Sequence, residues 1–144
     1  MFSRNFLYIL LVAGLQVACG KTGKNAQNEK AAETRLWEEV MVVHDDVMPK
    51  MSDINRLKKG LRELPPAPST ITAITDLTKA EDAMWDWMHG LKTQVQLDSL
   101  AHEEALDYLD REKTRIEAVR ELMLKSIEQG QKALNKPDST ISNN

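Results

Sequence analysis

The chain has 144 residues and a mass of 16.3 kDa, which is room for one compact domain. Apolar residues make up 42% and charged residues 28%, a globular composition that excludes a disordered chain or a multi-span membrane protein. The 19 basic residues do not exceed the 22 acidic ones, so there is no electrostatic case for a nucleic-acid partner. A single cysteine excludes an intramolecular disulfide and a thiolate zinc site.

Residues 1–18 have the pattern of a secretory signal peptide, with a positive charge at Arg4 and an apolar run over 6–15. That run is shorter than the roughly 20 residues that a transmembrane helix needs. Cys19 follows a small residue, and the pattern resembles a bacterial lipoprotein signal, in which the cysteine is acylated and becomes the N-terminus. The resemblance implies lipidation of Cys19 and a stable membrane anchor. Ordinary cleavage after Gly20, which would discard the cysteine, is the alternative.

Two polar segments flank the predicted domain. Residues 19–32 lack large apolar side chains and are predicted to be a lipidated flexible tether. Residues 135–144 are polar, contain a proline, and are predicted to be a disordered tail. Lipoproteins displayed on the cell surface in some bacterial groups carry acidic residues straight after the cysteine. Here the first charges are Lys21 and Lys24, so that resemblance favours a periplasm-facing domain, and we expect the outer rather than the inner membrane.

Residues 33–134 contain three stretches of apolar residues at helical spacing. The first stretch ends at the proline cluster of residues 65–68. Inside it, Pro49 removes a hydrogen bond to the Asp45 carbonyl, which predicts a kink or a short break near residues 45–49.

The second stretch contains the apolar series from Leu77 to Val95, and its start is open between Thr70 and a capping box at Thr78. The third begins after Ser99 and continues to about Leu134. Short connections favour antiparallel neighbours. The sequence therefore predicts an all-α fold, an elongated antiparallel three-helix bundle with coiled-coil character.

One layer of the predicted bundle is a candidate site. If the chain reverses at the proline cluster, His44 comes level with His89, and Met48 comes level with Trp85, with Met88 and Asp107 in the same layer. Core packing is one interpretation, because flexible methionine side chains fill irregular gaps around a kinked helix. The other is a soft metal ion such as copper(I), bound by imidazole and thioether groups. This interpretation uses a four-residue set: His44, Met48, Met88 and His89. No other cofactor is expected.

The two neighbouring tryptophans favour a protein partner. Trp85 and Trp87 are two positions apart, about 200° around a helix, so they do not face the same neighbour. A tryptophan left exposed beside Met88 would mark a protein-binding patch, since tryptophan is favoured at binding hot spots. The candidate partner-binding residues are therefore Trp85, Trp87 and Met88. The sequence has no catalytic motif, and we expect no catalytic residue. Self-association into longer coiled coils is a further possibility for such helices.

Several segments resemble a group of small lipoproteins of Bacteroidota-type bacteria, often labelled "viral A-type inclusion protein". The resemblance is carried by residues 37–59, 83–88, 108–113 and 123–127, and its most distinctive part runs from His44 to Pro49. It implies the helical fold and the lipid anchor but no viral role and no activity. The sequence thus predicts a membrane-anchored, non-catalytic binding or scaffolding protein, with a copper-binding or copper-sensing protein as the alternative.

Overall fold

The computed structural model describes residues 19–135, with side chains from residue 25 onward. The described residues are helical and contain no strand, so the all-α prediction is confirmed. The helices are α1 (Cys19–Val47), α2 (Lys50–Arg62), α3 (Pro68–Gly90), α4 (Gln94–Asp98) and α5 (His102–Asn135). The predicted signal peptide, and the predicted tail beyond its first residue, lie outside the described residues.

A short break separates α1 from α2 at Met48–Pro49, where the sequence predicted an interruption. The Met48 N–H still donates to the His44 carbonyl at 2.8 Å, but the Met51 N–H bonds the Met48 carbonyl at 3.1 Å in a tighter turn. Because proline has no N–H, the bond to the Asp45 carbonyl is lost and the helix ends there.

The first helix begins earlier than predicted. α1 is helical from Cys19, so residues 19–32 continue the helix where a flexible tether was expected. The absence of large apolar side chains does not prevent helix formation, because alanine, lysine, glutamine and glutamate are good helix formers and the segment has no proline. Farther along, Lys30 forms ion pairs with Glu33 and with Asp98, which join α1 to α4.

The middle of the chain also differs from the prediction at two places. α3 begins at Pro68, ahead of both expected starts, since proline is well suited to the first turn of a helix. The short helix α4 was not predicted. It is started by a capping box, in which the Thr93 N–H donates to the Gln96 side chain at 2.8 Å and the Thr93 hydroxyl accepts from the Gln96 N–H.

The long helices pack around α5, which contacts α1, α2 and α3, while α2 also contacts α3. Their apolar faces form the main core, a cluster with side chains from all four helices that centres on fully buried residues. These are Val40, Val47, Ile54, Leu61, Leu77, Met84, Trp87, Ile116 and Met123. No helix within residues 19–135 is long and apolar enough to cross a membrane.

A second, smaller apolar cluster lies where α1 meets α4 and the start of α5. It consists of Leu97, Tyr108 and Leu109, with Trp37 and two leucines packed against it. Ion pairs surround this cluster. We refer to this part of the molecule, built from α1 residues 30–39, α4 and α5 residues 102–113, as the polar end.

Candidate binding surface on helix α3

The C-terminal half of α3 places its two tryptophans in opposite environments. Trp87 is 2% exposed and belongs to the main core, whereas Trp85 is 45% exposed. Their separation by two positions, about 200° of helix rotation, accounts for the difference. One tryptophan is therefore a packing residue and the other is a surface residue, as the spacing predicted.

His44 lies against the buried tryptophan. Its ring stacks on Trp87 with the centroids 5.6 Å apart and the planes 29° apart, and its side chain is 16% exposed. The His44 Nδ1 atom lies 2.9 Å from Oδ1 of Asp45. Asp107, which the predicted register placed in the same layer, is an exposed residue of α5. His44 thus fills a position at the edge of the main core.

His89 lies against the exposed tryptophan. Its ring stacks on Trp85 with a centroid separation of 6.1 Å and an interplanar angle of 24°, and the residue is exposed. Because Trp85 and His89 are four residues apart, they share one face of α3. The structure therefore pairs His44 and His89 with different tryptophans, which lie on different faces of α3.

The remaining members of the predicted metal set, Met48 and Met88, are half-buried and pack against the main core. Within the described residues, no group of three or more histidine, cysteine, aspartate or glutamate side chains could hold a metal ion. The copper(I) set stays a prediction, which competition between the protein and a copper(I) chelator, with and without His44→Ala, would test.

Burial changes the predicted partner-binding patch. Trp87 was placed in it together with Trp85 and Met88, but a tryptophan 2% exposed offers no surface to a partner. The Nε1 donor of Trp87 is buried and has no hydrogen-bond partner among the described residues, so the indole acts through packing. The accessible part of the patch is Trp85 with the half-buried Met88.

Two carboxylates complete the surface around Trp85. Asp82 and Asp86 are exposed and make no ion pair among the described residues. They lie four residues apart, so they share a face of the helix with each other. Neither aspartate was among the predicted site residues. The sequence could have pointed to this pair through its position around the tryptophan, with Asp82 three residues before Trp85 and Asp86 directly after it.

The polar end contains several side chains whose pKa values are shifted. The His102 Nδ1 atom lies 2.8 Å from Oε1 of Glu33. This hydrogen bond lowers the pKa of Glu33 and raises the pKa of His102. Lys30 bridges the same cluster by pairing with both Glu33 and Asp98, and its own pKa is raised by those bonds. The positive and negative charges of these side chains neutralise one another. The cluster therefore links α1, α4 and α5.

A cavity of about 50 Å³ lies beside this cluster, between α1, α4 and α5. Its lining includes Lys30, Glu33, Trp37 and Gln94. The volume is enough for a few water molecules and too small for an organic ligand, since ligand pockets measure about 300 Å³ or more. We regard the surface around Trp85 as the candidate functional site because it exposes a tryptophan that is not part of either apolar cluster.

Neither a protein-family model, nor a curated protein, nor a solved structure matches this chain.

Proposed function

We propose that this chain is a lipid-anchored, periplasm-facing, non-catalytic binding or scaffolding protein that engages a protein partner through the surface around Trp85. The exposure of Trp85 carries the proposal. At this exposure the side chain gives up part of the free energy of burial, which is about 1.5–3 kcal/mol when a large apolar side chain is fully buried. Tryptophan is also the residue type most enriched at binding hot spots.

We further propose that the helices form an elongated antiparallel three-helix bundle of coiled-coil character. Two ion pairs between α1 and α5, Glu33–His102 and Glu39–Lys113, advance together along both helices, which supports a parallel pair. Between α3 and α5, Gly90 lies near Arg115 and Leu77 lies near Gly130, so the numbering runs in opposite directions. Such a bundle presents α3 along one side.

Site-specific crosslinking in the cell tests the partner. A photoreactive phenylalanine analogue replaces Trp85 in the full chain, and the matched control carries the same analogue at Gln129, an exposed position on α5. We expect a discrete adduct after illumination from position 85 and none from position 129. An adduct of twice the chain mass would identify a second copy as the partner. No adduct at either position, or equal adducts at both, would contradict the proposed surface.

Acylation of Cys19 tests the anchor. We expect the wild-type chain in the membrane fraction, with a mass that corresponds to the sequence from Cys19 plus acyl groups. The Cys19→Ser variant should lose both the added mass and the membrane association, because a single acylated residue supplies the anchor. A mature chain that begins after Gly20, without lipid, would instead establish ordinary signal-peptide cleavage.

A further inference from the structure

We infer that the surface around Trp85 binds a cationic protein segment, in which arginine or lysine side chains contact the indole and the two flanking carboxylates. This inference rests on the proposed function and specifies the chemistry of the partner. It is carried by the charges of Asp82 and Asp86, by the exposed ring of Trp85, and by the absence of compensating cations on this part of α3.

The two carboxylates repel each other in the isolated chain. Asp82 and Asp86 stand at i and i+4, a spacing at which like charges destabilise a helix. Asp86 also lies one turn before Gly90, the last residue of α3, and the C-terminal end of a helix dipole disfavours negative charge. A bound cation would remove the repulsion and would be attracted by the same end of the dipole.

No basic residue of α3 compensates these charges. The positions three and four residues from Asp86 are Asp82, Ala83, His89 and Gly90. Lys79, three residues before Asp82, instead lies 3.6 Å from Asp76. The two aspartates therefore keep their carboxylates available to a partner from outside α3.

A second acidic pair in the molecule, on α5, has basic residues at compensating positions on its own helix. Glu117 and Glu121 on α5 are also exposed and four residues apart. Two basic residues stand at the compensating spacings around them, namely Arg120 and Lys125, while Lys113 pairs with Glu39 on α1. This pair has no tryptophan beside it and serves as a matched control.

Trp85 adds an attraction that is specific for cations. The face of an indole ring carries negative potential, and a guanidinium or ammonium within about 6 Å of the ring centroid is attracted to it. His89 stacks along Trp85 and holds the ring in place, while 45% of the tryptophan remains exposed. Because Asp82 and His89 lie on the same side of α3 as Trp85, one arginine can contact the ring and a carboxylate together.

The probe is a tetra-arginine peptide, titrated into the full chain in detergent and followed by the chemical shift of the Trp85 indole N–H. We expect saturable binding to the wild-type chain. The D82N/D86N double variant should bind about tenfold more weakly, and Trp85→Ala at least about threefold more weakly. The E117Q/E121Q control, which changes the net charge equally, should bind within about twofold of wild type. For Trp85→Ala, calorimetry replaces the indole signal.

Thermal unfolding separates loss of binding from loss of folding. The D82N/D86N variant should unfold at a higher temperature than wild type, because the substitution relieves the repulsion within α3. If D82N/D86N and E117Q/E121Q weakened peptide binding equally, net charge alone would account for the effect and the inference would be overturned. An absence of saturable binding would overturn it as well. If the peptide fails to bind while position 85 still crosslinks in the cell, a partner exists but is not cationic.

Discussion

The main core and the polar end are held together by different forces. The main core consists of apolar side chains from four helices, with Trp87 and Met84 almost fully buried. The polar end has a small apolar cluster around Leu97, surrounded by ion pairs such as Lys30–Asp98 and Glu33–His102. α3 ends at Gly90, and the short helix α4 covers this part of the molecule instead.

Because of this difference, the main core should supply most of the stability, and the polar end should respond most to salt and pH. Buried apolar area contributes about 25 cal/mol per Å² and depends little on salt or pH. Partly exposed ion pairs contribute little, and their strength changes with ionic strength and protonation. We therefore expect the main core to set the unfolding free energy and the polar end to open first.

Replacing a tryptophan by alanine in each region should produce the largest contrast. Trp87→Ala removes a fully buried side chain and should lower the unfolding free energy by about 3–5 kcal/mol. Trp37→Ala removes a half-buried side chain at the polar end and should lower it by about 1–2 kcal/mol. Urea unfolding followed by circular dichroism measures both, and equal losses would mean that the two regions contribute alike.

A lysine in each region supplies the next contrast. Lys58 is buried and pairs with Glu81, so Lys58→Met leaves a poorly solvated carboxylate and should cost roughly 1–3 kcal/mol. Lys113→Met at the polar end removes an exposed pair with Glu39 and should change stability by no more than the error of the measurement. The same urea titration tests both variants. A larger loss for Lys113 would show that the exposed ion pairs carry more of the stability than we assign to them.

The helical fold was predictable because it depends on local chemistry. The 3.6-residue apolar period identified the long helices, and the missing N–H of Pro49 placed the break between α1 and α2. The start of α1 was missed because a polar segment that has two glycines but no proline fits a tether and a helix equally well. α4 was missed because five residues are too few to show a period, although the Thr93 and Gln96 capping pair was readable.

The candidate site was less predictable because it depends on contacts between helices. The rotation of about 200° between Trp85 and Trp87 predicted that one is buried and one exposed, but not which. Only the packing of α3 against its neighbours decides that Trp87 faces the core. The stacking of His44 on Trp87 likewise follows from the register of α1 against α3, which apolar spacing alone does not determine.

Two glycines measure how tightly the main core is packed. A Cβ at Gly130 would lie 3.0 Å from Leu77 Cδ1 and 3.4 Å from Leu57 Cδ1, so Gly130→Ala forces leucine side chains to shift and should cost about 1 kcal/mol. At Gly60 the nearest atom would be Leu134 Cδ1 at 3.4 Å, an ordinary contact. Gly60→Ala should therefore stabilise the helix by about 0.5–1 kcal/mol. Thermal melts compare them, and stabilisation by both substitutions would indicate a loosely packed core.

The pH dependence of stability near neutral pH should come mainly from the polar end, where Glu33 meets His102. The raised pKa of His102 adds stability that is complete below its ordinary value of 6.5 and is lost as pH rises through the folded value. The lowered pKa of Glu33 adds stability above its ordinary value of 4.5 that is lost as pH falls through the folded value. The pair therefore stabilises the fold most between these two ordinary values.

His102→Gln should remove the decline in unfolding free energy that the wild type shows as pH rises above 6.5, measured by urea unfolding across a pH series. The carboxylates that raise this pKa are Glu33 and Glu29 on α1 and Glu103 on α5, and Lys30 remains as the cation paired with Glu33 once the imidazole is neutral. Lys113→Gln is the matched control, because neither Glu39 nor Lys113 titrates near neutral pH, and it should keep the wild-type decline. If His102→Gln also kept it, the decline would come from another group, and the polar end would be as insensitive to pH as the main core.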